Sequence, residues 1–462
     1  MKAPDTAARQ GLRRVLGRRD VLSLAFGAMI GWSWVLLTGE WIGRAGSLGA
    51  MTAFLIGGVV VVFIALTYAE LAAAMPSVGG EHVYSLRALG PGLSFVCSWS
   101  IVLGYVSVAA FEAVALPFAL STLVPGTDLV YLWTVAGWDV HLSFVAIGIA
   151  ASVVLTWINI RGVKPAAAMQ RIVTLAIVIS GAFFLTGASF NGDPHKLQPL
   201  FTSLEGGGLF AVLMMVPIMF VGFDIIPQTA EEIDLPHAQI GALVVVSVII
   251  AVLWYAAIIF GVGLSLDAPA RAASAMTTAD AAGAAWGSPA ARDLLIIGGI
   301  AGIVTTWNAF LIGSSRIVYA LATAGMLPAV FARLHPRYGT PHVALLAIGA
   351  VVCVAPWFGR PILVWLINAG SFGVIIAYMM VAASFLVLRR REPDMPRPYR
   401  VRHGAFVGGT ALVLSGALIL LYLPGGPAGL AWPHEWGICL AWSAAGGVLY
   451  FVCTIRRPEA AH

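Results

Sequence analysis

Long apolar runs alternate with short polar stretches along nearly the whole chain. A hydrocarbon core about 30 Å thick takes roughly 20 helical residues to cross. Segments 21–43, 48–75, 93–124, 142–160, 166–190, 209–233, 240–266, 294–319, 343–357, 362–388, 406–423 and 436–455 meet that demand, the ninth being short. The pattern predicts an all-α membrane protein with twelve transmembrane helices. Ahead of the first run lies a polar, basic stretch, 1–19, and no small-residue cleavage pattern follows it. It reads as a flexible cytosolic tail, not a secretory signal.

Composition agrees with lipid as part of the solvent. Hydrophobic residues make up 60% of 462 and charged residues 10%, against roughly 25% charged in a soluble chain. The net charge of +5 gains meaning only from its distribution. Counted over alternate loops, 21 Lys and Arg residues fall on one side, while Arg44, Lys196, Arg271, Arg292 and Arg360 fall on the other. The positive-inside rule therefore puts both termini in the cytosol. The basic balance reports topology, and no nucleic-acid partner is expected. Arg389, Arg390 and Arg391, continuing to Arg402, could touch anionic lipid, though the topological reading is preferred. Cys97, Cys353, Cys439 and Cys453 lie in apolar stretches with no CxxC pair, so they read as small hydrophobes. The nine histidines show no metal-binding spacing, and His82 reads as a surface residue. No metal or cofactor is expected, and no nucleophile–base pair or phosphate loop suggests an enzyme.

Two segments carry residues that a lipid-facing helix avoids. The first has Gly27 and Gly31 followed by Trp32, Ser33 and Trp34. The sixth has Pro217, Gly222, Asp224 and Pro227. Unpaired backbone at membrane depth is tolerated only where it lines a cavity, and interrupted segments at matching places in two halves point to a transporter's central site. Segments one and six are five apart, as two five-helix inverted repeats require. Close packing at the glycines and simple proline kinks are the plainer alternative.

These motifs resemble the amino acid–polyamine–organocation (APC) permeases, in the form of the cationic-amino-acid-transporter-like branch. The resemblance rests on the glycine break before Val35 and on Tyr68, Glu70 and Leu71 with Pro76, Gly79 and Gly80. It continues through Asn159, Arg161 and Gly162, then Phe220, Gly222, Phe223 and Asp224 with Glu231, Glu232 and Pro236. Ser315, Arg316, Gly325, Pro328 and Pro341 complete it. The implied fold is the LeuT-like five-plus-five inverted repeat with two C-terminal helices. Its divisions would be the tail 1–19, a first repeat 20–203, a second repeat 204–390, and 391–462 with the last two helices and a short cytosolic end. The implied activity is secondary transport of an amino acid or related amine across the bacterial inner membrane. Freed amides around Ile30, Gly31 and Trp32 would hold a substrate carboxylate, and freed carbonyls at 220–223 its ammonium. Trp32 and Ser33 depart from the family's small residues, which narrows this cradle. A lysine that some members carry in the fifth segment has Ile177 at its matching position, which excludes lysine-based coupling.

Intramembrane acids are functional candidates because burying their charge is costly. Glu112, among apolar neighbours, and Asp224 are the candidates for a coupling proton. Asp224 is the stronger candidate for the site, or else a brace for unwound backbone. Glu70 reads as a helix-end structural residue and Glu40 as interfacial. Thr305, Thr306 and Asn308 of segment eight could hold sodium or substrate, but hydroxyls more often bond their own helix, so a proton is favoured over sodium. Trp32, Ser33, Trp34, Phe220 and Phe223 are placed to shape a pocket. An obligate exchanger or exporter of the same fold and a non-transporting substrate sensor remain as alternatives.

Overall fold

A computed structural model of the chain describes residues 12, 14–124, 126, 129–202, 208–426 and 429–455. Most of the expected tail, the 203/204 repeat boundary, and Arg456 and Arg457 lie outside the described residues. In chain order the helices are α1 Arg18–Met29, α2 Ser33–Leu36, α3 Thr38–Ala45, α4 Ser47–Ala74, α5 Glu81–Leu89, α6 Pro91–Leu123, α7 Leu142–Ile160, α8 Val163–Asn191 and α9 Gly208–Met219. They continue as α10 Ile225–Gln228, α11 His237–Ser265, α12 Ala268–Ala273, α13 Thr277–Trp286, α14 Pro289–Thr323, α15 His342–Val352, α16 Ile362–Arg391, α17 Gly404–Tyr422 and α18 His434–Ile455.

Nine helices among the described residues are long and apolar enough to cross a membrane: α4, α6, α7, α8, α11, α14, α16, α17 and α18. The protein is thus an all-α membrane protein in its bulk. Burial sorts these helices. In α6 and α14, 83% of the apolar window is enclosed by protein, against 11% in α18, so α6 and α14 form the centre and α18 turns most of its surface to lipid. Small residues bring the helices close. A Cβ at Gly57 of α4 would lie 2.5 Å from Val216, and one at Gly58 would lie 2.4 Å from Val252.

The stretch expected to be a flexible tail is packed at its end. Leu16 pairs in parallel with Ile233; the Val15 and Leu16 amides donate to the Glu232 carbonyl at 2.8 and 2.9 Å. Leu12 and Leu16 are buried because each supplies an apolar side chain to the core. A hairpin not foreseen in the sequence, β1 Tyr131–Val135 and β2 Trp138–His141, lies between α6 and α7. Its turn takes Ala136 and Gly137 at φ of +47° and +80°, the left-handed pair of a tight hairpin turn.

Candidate substrate site at two helix breaks

The helix of the first segment stops at Met29. Ile30 closes it by donating to the Phe26 carbonyl at 2.9 Å, and neither Gly31 nor Trp32 donates to a backbone carbonyl. Helical bonding resumes when Val35 and Leu36 donate to Trp32. The sixth segment breaks after Met219. Phe220 and Val221 donate over single turns to Pro217 and Ile218, and Gly222 stands at φ +133°. That conformation suits only glycine, and a Cβ there would meet the Ala28 carbon and Met29 nitrogen at 2.9 Å. The two breaks therefore touch backbone to backbone.

Asp224 braces the second break. Its Oδ1 accepts from the Gly222 amide at 2.7 Å and its Oδ2 from the Tyr105 hydroxyl at 2.6 Å. At the first break, Tyr255 donates to the freed Met29 carbonyl at 2.9 Å and meets the Ser33 hydroxyl at 3.0 Å. Thr306 donates to the Gly27 carbonyl at 3.0 Å. Tyr255 escapes sequence reading because a tyrosine inside an apolar run resembles any core aromatic.

A cavity of about 590 Å³ begins at the first break and runs toward the hairpin. Gly31, Trp32, Ser33, Glu112 and Thr306 line its inner end; exposed Ala136, Gly137 and Arg360 line its outer end. Between them the walls are apolar, with Leu36, Val108, Phe111, Ile218, Phe310 and Ile367 among them. The Glu112 carboxylate stands at the break: a Cβ at Gly31 would lie 2.9 Å from its Oε1. Its Oε2 has no hydrogen-bond partner among the described residues. Trp32 is 2% exposed, and its ring also presses on α14, where a Cβ at Gly299 would lie 2.4 Å from it.

Other sequence candidates sit outside the cavity lining. Ile30 is buried. Phe220 packs against Phe54 and Tyr255, with centroids 6.3 and 5.6 Å apart, and Phe223 against Tyr68 and Tyr378, at 5.4 and 5.5 Å. Asp224 faces Tyr105 instead of the cavity. Thr305 donates to its own helix at Gly302, 2.9 Å away. Asn308 accepts from Asn159 and donates to Gln170, both at 2.8 Å, in an interhelical network. From α8, Gln170 and Thr174 bond to the middle of α1, both within 3.3 Å of the Ser23 carbonyl; neither is basic.

On the side away from the hairpin the path is closed. Arg316 donates to Glu232 at 2.8 and 3.3 Å, each side chain 1% exposed, and the same Glu232 carbonyl holds Val15 and Leu16. Glu70 acts as a helix-end anchor, bound by Arg389 and Arg397. His82 is buried, not on the surface, with Nδ1 3.0 Å from the Ser94 hydroxyl.

Residues 16–445 match the family model described as amino acid permease. The chain belongs to the amino acid permease family. This permease is 25% identical to the branched-chain amino acid permease BcaP of Bacillus subtilis, over 98% of this chain and 96% of that one. It is 24% identical to the methylthioribose transporter of the same organism, over 96% and 94%. It is also 27% identical to human cationic amino acid transporter 4, covering 85% of this chain and 62% of that longer one. The permease is an APC-type membrane transporter and not an enzyme.

Proposed function

We propose that the permease is a secondary active transporter for an amino acid with an apolar side chain, coupled to protons through Glu112. The observation that carries this reading is the cavity that ends on the first break with Glu112 beside Gly31. Twelve crossings would be arranged as five-helix repeats at 20–203 and 204–390, with 391–462 supplying the last two. Nine long helices, the two interrupted segments and the short stretch His342–Phe358 support that count.

The amides of Gly31 and Trp32 suit a carboxylate, because a half-helix starting there presents free N–H groups. Of the carbonyls at 220–223, those of Gly222 and Phe223 accept from Ile225 and Ile226, and those of Phe220 and Val221 suit an ammonium. The remaining walls are apolar, so the side chain of the substrate is apolar too; a relative that carries branched-chain amino acids is in keeping with this. The carboxyl of Glu112, which lines the cavity with one oxygen unpartnered among the described residues, favours a proton over sodium. Rocking of one repeat against the other would then open the side sealed by Arg316 and Glu232. Both termini would be cytosolic.

The test uses purified permease in liposomes supplied from outside with labelled leucine, valine and alanine in turn. Glu112→Gln is expected to keep exchange at equilibrium but to lose accumulation driven by an inward proton gradient. A variant that concentrates substrate as steeply as wild type removes Glu112 from coupling.

A further inference from the structure

The arginines at the end of α16 are not used by the transport site. Arg389, Arg390 and Arg391 follow directly on Leu388, where the apolar run of α16 ends. The chain loops back and enters α17 at Gly404. Between the two helices lies a concavity of about 420 Å³, lined by Arg389, Arg390, Arg397 and Arg400 with Leu386 and Ala405. This is a cluster of four cations at the level where two helices leave the apolar layer.

Two of the four are fixed. Arg389 donates through Nε to Glu70 at 2.8 Å and through Nη2 to the Val401 carbonyl at 2.7 Å. Arg397, its side chain 6% exposed, sits 3.0 Å from the same carboxylate. Its remaining N–H groups go to the carbonyls of Leu388, Glu392, Pro393 and Met395. One carboxylate thus faces two guanidinium groups. Arg390 and Arg400 are exposed and make no ion pair among the described residues. Glu392 is taken by Arg87 at 2.8 Å, and Asp394 is exposed. The concavity carries an excess of positive charge, and the unpaired guanidinium groups of Arg390 and Arg400 match the oxygens of a phosphate. The first turn of α17, whose Ala405 lines it, adds N–H groups of the same sign.

The surroundings choose between a soluble phosphate and a lipid. Next to Ala405, Phe406 is 66% exposed, and Val413 and Leu420 carry the apolar face on along α17 at 69% and 65%. A cationic mouth that opens onto a lipid-facing apolar strip fits a molecule with a phosphate at one end and an acyl chain at the other. Basic pockets beside crossing helices are known to take such headgroups. We propose that the groove between the end of α16 and the start of α17 binds the phosphate headgroup of an anionic phospholipid. Through Arg389, which lines the concavity and is bonded to Glu70, the headgroup is linked to α4.

The full chain, purified in neutral detergent, is titrated with phosphatidylglycerol or phosphatidylcholine, and bound lipid is counted by native mass spectrometry. Arg390→Gln/Arg400→Gln removes the two unpaired cations while leaving Glu70 clamped. Lys164→Gln/Arg333→Gln removes the same charge from exposed positions elsewhere. Wild type and the Lys164 and Arg333 control are expected to prefer phosphatidylglycerol, and the Arg390 and Arg400 variant to lose that preference by about tenfold or more. An unchanged preference in the latter, or equal loss in both variants, overturns the site. Glycerol 3-phosphate is added alone in a parallel series. Binding and thermal stabilisation equal to those of phosphatidylglycerol would mean that the ligand is a soluble phosphate and would overturn the lipid assignment.

Discussion

Trp32 is held between two demands. Its ring forms part of the cavity wall, and its far edge rests on the bare backbone of Gly299. A methyl group at 299 would lie 2.4 Å from the ring and 2.8 Å from Val35, so the ring must move, and the open direction is the cavity. Gly299→Ala is therefore expected to reduce affinity for large substrates several-fold relative to small ones. A competition series graded by side-chain size reads this, and identical rank orders in the two proteins would make Trp32 a scaffold residue. The helix break at Gly31 and Trp32 was legible from sequence because glycine and tryptophan side by side are conspicuous in an apolar run. The surroundings of the second break were less so. Asp224 stands out as an intramembrane acid, yet its carboxylate is spent on Gly222 and Tyr105. Asn308 likewise pairs with Asn159 and Gln170, on helices far apart in sequence. Such partners are invisible to any reading that lacks the fold.

Helices behave differently according to what selects them. The long ones were legible because apolar length is their defining property, and both interrupted segments were marked by glycine, proline and a single acid. Helices α5, α12 and α13 and the hairpin were not foreseen, since short elements outside the apolar layer carry no such length signal. Helix α5 shows the consequence. His82 looked like a loop residue but is enclosed, and burial lowers its imidazole to about 4. The unfolded chain takes up that proton near pH 6.5, whereas the folded chain refuses it until about pH 4. The unfolded state then binds more protons between those values, so stability falls as pH drops through that window, by at most about 3 kcal/mol. His82→Asn removes this contribution. The melting temperature of wild type should accordingly fall more steeply than that of His82→Asn between pH 6.5 and 4. Parallel curves would show that His82 is protonated without cost.

Across the whole molecule, charge and cavity point the same way. Every ion pair among the described residues joins partners from one predicted side. Asp20 with Arg171, Arg87 with Glu392, Glu70 with Arg389 and Glu232 with Arg316 belong to the arginine-rich side; Glu40 with Arg44 and Asp280 with Arg292 belong to the other. A span count wrong by one would have mixed the two sets. The cavity leads from the helix breaks to the hairpin, which lies on the arginine-poor side, while Glu232 and the segment around Leu16 close the opposite path. If the positive-inside rule holds, the hairpin is external and the described conformation admits substrate from outside. The prediction is direct. With the four native cysteines replaced, Asp139→Cys in the hairpin should react with a membrane-impermeant thiol reagent on intact cells. Arg402→Cys, before α17, should react only after permeabilisation. Both positions are exposed, so access to the reagent depends on the side of the membrane and not on burial. The reverse pattern would invert the topology, and the cavity would then open to the cytosol, making this the state that releases an imported substrate or loads an exported one.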